Sequence, residues 1–360
     1  MAEKVLMKGN EALAESAIRA GCRFFFGYPI TPQTELAAYM SKRMPKVGGT
    51  YLQAESEIAA INMVYGAAAA GARAMTSSSS PGISLKGEGI SYMAGADLPG
   101  VIINVQRGGP GLGGIQPSQS DYWQATRALG HGDFHVVVYA PSTVQEMADF
   151  VREAFEVADR YRTPAMILAD GMLGQMMEPV ELPEPLDPAD LPAKPWATTG
   201  HADARPHNVA NSLYLTAEAL ERLNVERFER YARIERDEQR AEAFLVDDAD
   251  IVLVAFGASA RIARSAVVAA RDAGVLAGLV RPVTLWPFPK DVLEATVPAS
   301  KAYLSVEMNM GQMVDDVRLV VNGRRPVEFF GHAGGVVPTP AEVLAKIVDM
   351  NGRFVGKGGE

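Results

Sequence analysis

Three residues of different chemistry each stand at the end of an apolar run, where alternating strands and helices would bring them to one edge. Thr31 lies in Tyr28-Pro29-Ile30-Thr31-Pro32, directly after the run from Cys22 to Gly27. Each proline fixes its own φ and pushes the residue before it towards extended geometry, so this loop holds the Thr31 hydroxyl with little freedom to re-aim it. Glu57 closes Gln53-Ala54-Glu55-Ser56-Glu57 and opens the stretch from Ile58 to Ala70, which is apolar almost all round and is expected as a fully buried helix. A carboxylate there is pulled two ways, because burial raises its pKa and a helix amino terminus lowers it. Arg107 follows Val101 to Val105, a continuous apolar run of the kind required of a parallel strand buried on both faces. Its planar, permanently charged fork suits a carboxylate. Each residue also has a plainer reading. Thr31 would cap the following helix, Glu55 and Glu57 would offset a helix macrodipole, and Arg107 would make a surface or interface ion pair.

Taken together, the proline loop, the Glu57 motif and Arg107 resemble the alpha subunit of the 2-oxoacid:ferredoxin oxidoreductases, which use thiamine diphosphate. The likeness spans nearly the whole chain. It is nearest to the branched-chain (2-oxoisovalerate, or 3-methyl-2-oxobutanoate) type through Gly108-Gly109-Pro110-Gly111-Leu112-Gly113-Gly114-Ile115-Gln116-Pro117 and Ser118-Gln119-Ser120-Asp121. The resemblance implies that Glu57 hydrogen-bonds the aminopyrimidine ring of the cofactor and that Thr31 and Arg107 contact the oxoacid. It also implies that Tyr28, Pro29 and Ile30 belong to the cofactor-binding loop. In that family the diphosphate end is held through a metal by a Gly-Asp-Gly motif with a later asparagine. This chain lacks it: Gly132-Asp133-Phe134 misses the second glycine, and Asp170-Gly171 has no suitable asparagine after it. The expectation is half a site, completed by a beta subunit that carries Mg2+ and the diphosphate motif. The implied reaction is oxidative decarboxylation of a 2-oxoacid to acyl-CoA and carbon dioxide, with coenzyme A as co-substrate. Electrons would pass through a ferredoxin-like iron–sulfur subunit to ferredoxin. No second cationic residue stands beside Arg107, which favours an apolar oxoacid side chain over the second carboxylate of 2-oxoglutarate. Other readings remain open: another oxoacid, a transketolase-like or sulfopyruvate-decarboxylase-like partner chain, or a non-catalytic assembly module of the same fold.

Composition bounds these readings. Cys22 is the single cysteine, so the chain forms no internal disulfide and cannot supply the four thiolates of a common iron–sulfur cluster. Histidines 131, 135, 201, 207 and 332 show no metal-ligand spacing, and no metal site is expected on this chain alone. A formal net charge of −9 argues against nucleic acid or an anionic membrane as partner. No stretch approaches a membrane span and the amino terminus lacks a signal-peptide core, so the cytoplasm is the expected location.

The elements that must position the three residues follow in order. At 360 residues the chain should divide into two α/β units. Residues 1–177 read as successive β-α units of a doubly wound parallel sheet, with a helix from Ile83 to Gly95, another reaching Leu129 and a long amphipathic one from Val144 to Ala158. The glycine-rich stretch after Arg107 lacks the lysine of a P-loop and reads either as a mobile active-site loop or as a surface turn. Residues 178–246 form a proline-rich connector and a charged helical arm, Val209 to Phe244, either solvated or laid against a partner. Residues 247–360 read as a second small parallel α/β unit, which the resemblance likens to the carboxy-terminal domain of transketolases. There Glu307-Met308-Asn309-Met310-Gly311-Gln312 marks a strand-to-helix turn that either faces a partner or caps the helix.

Overall fold

The computed structural model describes residues 4–356. The chain opens with β1 (Lys4–Lys8), α1 (Gly9–Arg19), β2 (Phe24–Gly27), α2 (Thr34–Arg43) and β3 (Thr50–Gln53). It continues with α3 (Glu57–Ala69), β4 (Ala74–Ser78), α4 (Ser80–Gly95), β5 (Gly100–Gln106), β6 (Val137–Tyr139), α5 (Val144–Tyr161), β7 (Pro164–Asp170), α6 (Gly171–Gln175) and β8 (Met177–Glu181). Then come α7 (Ala217–Asp237), β9 (Ala241–Phe244), β10 (Ile251–Val254), α8 (Gly257–Asp272), β11 (Ala277–Pro282), β12 (Thr284–Trp286) and α9 (Lys290–Thr296). The last elements are β13 (Ala302–Glu307), α10 (Met313–Val321), β14 (Val327–Gly331) and α11 (Pro340–Phe354).

The first sheet has strand order β12-β6-β7-β5-β4-β2-β3, parallel except for β12. Every residue of β5 and β7 is buried, as central parallel strands covered on both faces must be. α1, α2 and α5 pack together on one face, and α3 with α4 on the other. The winding reverses at β2, whose neighbours β3 and β4 lie on opposite sides. Crevices at such reversals, beyond the carboxyl ends of strands, are where open α/β sheets take ligands. The second sheet, β14-β13-β10-β11-β9, is parallel apart from β9.

Several expectations are corrected. The helix from Glu57 is not buried all round: Ala60, Ile61, Val64 and Ala68 face the core, whereas Ile58, Asn62, Gly66 and Ala70, four residues apart, form an exposed stripe. Its uniform apolarity hid that face. The helix expected up to Leu129 is chiefly a short π-helical stretch, Gln124–Ala128. The helical arm is shorter than Val209 to Phe244: it begins only at Ala217, and its last residues become β9, an antiparallel edge to the second sheet. That arm lies on its own chain rather than standing free: Tyr231 and Ile234 are buried, Arg227 donates to the Gly95 carbonyl at 3.2 Å, and Arg230 pairs with Asp97. β12, from the second half of the sequence, completes the first sheet, and its Trp286 stacks on His135 at 4.5 Å between ring centroids. β1 and β8 form a two-stranded antiparallel ribbon. Both depend on long-range pairing that local patterning does not reveal.

Candidate functional site

The loop from Tyr28 to Gln33 leaves the carboxyl end of β2 and is stitched from two sides. Asn10 of α1 donates to the Pro32 carbonyl at 2.8 Å. Gln33, fully buried, donates to the Tyr28 carbonyl at 3.3 Å and accepts from Ser77 of β4 at 2.6 Å. The Thr31–Pro32 peptide is cis. Thr31 and Pro29 are exposed, Tyr28 sits at the edge of exposure and Ile30 is half-buried. Thr31 does not cap α2, whose N-cap position is Gln33 and has no side-chain cap.

Glu57 occupies the first turn of α3, and its side chain is not the cap, since Ser56 accepts from the Ala59 amide at 3.2 Å. It is 6% exposed, and among the described residues no hydrogen bond or ion pair ends on its carboxylate. Gly82, at the start of α4, lets that carboxylate approach. A Cβ built there would lie 2.8 Å from Glu57 Oε1 and 2.1 Å from Ser78 Oγ. The hydroxyls of Thr76, Ser78 and Ser79 are buried without a protein partner. The end of β4 is thus a polar cradle whose hydrogen-bonding capacity this chain does not use up.

Arg107 stands past the end of β5 and is 7% exposed, so it is no surface ion pair. Its Nη1 donates to the Thr31 carbonyl and its Nη2 to the Leu112 carbonyl, each at 3.0 Å, while Nε is buried with no partner. Two of the three sequence candidates therefore touch. The third is reached through the start of α4: the Arg107 amide donates to Ser80 Oγ at 3.1 Å, two residues from Gly82 beside Glu57. Behind Arg107 lies a buried carboxylate that sequence reading did not single out as a site residue. Asp121 accepts from Ser80 Oγ at 2.6 Å and from Asn104 at 2.8 Å; burial pushes its carboxyl up, and these bonds and the Arg107 charge oppose that. The signal for Asn104 was present, a lone amide inside the apolar run of β5. Lys86, the one cation in the helix expected from Ile83 to Gly95, was a second such signal.

The glycine-rich loop resolves as a turn closed over Arg107, with Gly108 donating to Gln116 and Gly114 to Gly108. Gly111 and Gly113 have φ of +70° and +60°, the left-handed region that glycine enters without steric cost. Ser118 to Trp123 then dock on the second unit: Gln119 accepts from Ser259 at 2.6 Å and from the Met308 amide at 3.0 Å, and donates to Phe256 at 2.8 Å. Asp170 is spent as a helix cap, accepting from Met172 and Leu173, and burial raises its carboxyl to about 6. Among the described residues no group of three or more His, Cys, Asp or Glu could hold a metal ion. No helix of the described residues is long and apolar enough to cross a membrane.

A buried carboxylate with open acceptor capacity and a half-satisfied guanidinium, joined through the start of α4 near the reversal point of a doubly wound sheet, define the class: an α/β chain with unspent polar groups at its strand ends. Comparison with known proteins narrows this. Residues 15–240 match the family described as pyruvate flavodoxin/ferredoxin oxidoreductase, thiamine diphosphate-binding, and residues 249–343 match pyruvate:ferredoxin oxidoreductase core domain II. The chain is 50% identical over 347 residues to ketoisovalerate oxidoreductase subunit VorB of Methanothermobacter thermautotrophicus, covering 96% of this chain and 98% of that one. It is 38% identical over 378 residues to the 2-oxoglutarate synthase subunit KorA of the same organism, covering 98% and 100%. Among solved structures it superposes on 2-oxoglutarate:ferredoxin oxidoreductase from Magnetococcus marinus with a TM-score of 0.85 at 26% identity, covering 97% of this chain and 65% of that chain. A split-gene transketolase shares the fold, with a TM-score of 0.57 at 14% identity. The chain belongs to the 2-oxoacid:ferredoxin oxidoreductase family, and its likeness is greater to the branched-chain type than to the 2-oxoglutarate type.

Proposed function

We propose that this chain is the alpha-type subunit of a 2-oxoisovalerate:ferredoxin oxidoreductase, active only in a complex. Residues 1–177 would bind the aminopyrimidine half of thiamine diphosphate, 178–246 would connect, and 247–360 would buttress the site through the Gln119 contacts. The single observation that carries this is the Arg107–Thr31 hydrogen bond together with the buried Glu57 carboxylate, on which no hydrogen bond ends among the described residues. The residues fit the cofactor: Glu57 would take the hydrogen bond at the aminopyrimidine, the loop from Tyr28 through Pro29 to Ile30 would wall the ring, and the free hydroxyls of β4 would meet polar edges. When bound, thiamine diphosphate supplies the nucleophilic carbon and electron sink for decarboxylating a 2-oxoacid. Arg107 would orient the oxoacid carboxylate, exchanging the Leu112 carbonyl for it, with the Thr31 hydroxyl alongside. The diphosphate, its Mg2+ and the iron–sulfur clusters would belong to partner subunits. Two observations support that division: a single buried cysteine, and the exposed apolar residues Ile58, Leu85 and Tyr92 on α3 and α4, which suit a partner surface. Coenzyme A would accept the acyl group and ferredoxin the electrons.

The test is reconstitution with a beta subunit carrying the diphosphate motif, followed by oxoacid-dependent reduction of a viologen dye across branched-chain, aromatic and dicarboxylic oxoacids. A preference for branched-chain oxoacids is expected, and a preference for 2-oxoglutarate would reassign the substrate. Glu57→Gln should lower the rate by at least about 10²-fold, a typical acid–base contribution. Full activity of that variant with cofactor bound would overturn the assignment.

A further inference from the structure

Among the described residues Lys86 is the only lysine at 0% exposure, on the second turn of α4. The rest of that buried face is apolar or small: Gly82, Ile83, Gly87, Ile90 and Met93. An ammonium group so placed is unfavourable unless it is paired, and a methionine would fill the space without that penalty. The Lys86 ammonium donates to one acceptor, the main-chain carbonyl of Glu57, at 3.3 Å. Burial lowers its pKa to about 8, and the nearby Glu57 charge acts against that fall. Among the described residues no other charge competes for it. β4 presents only Thr76, Ser77 and Ser78 among its polar side chains, and Glu88 on α4 turns outward to Tyr92. Glu55 is exposed, and Arg107 and Asp121 are tied to each other's neighbourhood through Ser80.

We infer that Lys86 is the positioning residue of Glu57: its buried ammonium grips the main chain of the first turn of α3 and so fixes how the Glu57 side chain leaves that turn. The inference rests on the role given to Glu57 above and goes beyond it, because it assigns what holds that acid in place.

The experiment uses the reconstituted complex with Lys86→Met and Lys86→Arg. It measures kcat and KM for 2-oxoisovalerate separately, and thiamine diphosphate affinity by calorimetry. With Lys86→Met kcat should fall about tenfold or more with KM little changed, as a misplaced reacting group requires, and cofactor affinity should fall about tenfold. Lys86→Arg, which keeps a charged donor for the Glu57 carbonyl, should recover most of the rate. The free Lys86→Met subunit should melt no lower than the parent, since a buried charge gives way to an apolar chain. The inference is overturned if Lys86→Met leaves kcat and cofactor affinity unchanged, if Lys86→Arg recovers neither, or if Lys86→Met fails to fold, any of which makes the lysine structural. Full activity of Glu57→Gln sinks the reading of Glu57 itself; an inactive Glu57→Gln with a fully active Lys86→Met sinks only the role of Lys86.

Discussion

Glu57 and Glu307 occupy equivalent places in the two halves of the molecule, buried glutamates where a parallel strand gives way to a helix, yet their chemistry is opposite. Glu307 ends β13, is 0% exposed, and accepts from the amides of Gln312, Met313 and Val314 at 3.1, 2.8 and 2.9 Å and from Ser305 at 2.9 Å. Its charge is consumed by the amino terminus of α10. Glu57 begins its helix instead, and Ser56 takes the capping bond, which leaves the carboxylate with nothing to accept among the described residues. Burial of a carboxylate is therefore no mark of function by itself. What separates the two is whether the surrounding donors have been used.

That contrast can be broken by exchanging the losses. Glu57→Gln should lower turnover of the complex by about 10²-fold or more with an unchanged melting temperature of the free subunit; a large fall in melting temperature would make Glu57 a second Glu307. Arg107→Met removes a charge-assisted contact of roughly 2–3 kcal/mol, which should appear as about 30- to 150-fold in kcat/KM for the oxoacid. Thiamine diphosphate affinity, read by calorimetry, should hardly move. Glu307→Ala leaves three helix amides and a serine without their acceptor and should cost roughly 3 kcal/mol in denaturant unfolding, while the residual folded complex keeps its cofactor affinity. The smallest effect belongs to Glu328 on β14, an ion pair near solvent. Arg353, at 2.5 Å, and Lys346, at 2.7 Å, hold its carboxyl down at about 2. A carboxyl whose folded pKa is depressed stabilises the fold above its ordinary range, and that contribution is lost as pH falls towards 2. For so exposed a pair the stabilisation should stay below about 1 kcal/mol, so Glu328→Gln should flatten the acid limb of the unfolding curve only slightly.

Much of this was legible in the residues. The runs Val101 to Val105 and Ala165 to Ala169 are continuous and apolar, and only strands covered on both faces can absorb such runs; β5 and β7 are those strands. The proline loop, Glu57 and Arg107 each fall at a strand or helix end, which periodicity locates without a structure. Other features were not legible. Val209 to Phe244 reads as one helical arm, yet its last residues leave the helix to pair with β11, because an open sheet edge stood ready. The even apolarity of α3 said nothing about its stripe at Ile58, Asn62 and Gly66, since exposure depends on which neighbours arrive.

By itself the sequence determined the alternation of strands and helices, the family, and the residue types available at the strand ends, because periodicity, proline and glycine act over a few neighbours. Only the tertiary structure decided that Arg107 meets the Thr31 carbonyl and that β12 joins the first sheet. It also decided that Lys86 lies behind Glu57, and that Glu307 is spent while Glu57 is not. Those outcomes turn on hydrogen-bond donors and acceptors that are far apart in the chain, and which of them are left unpaired is settled only when all the elements have packed.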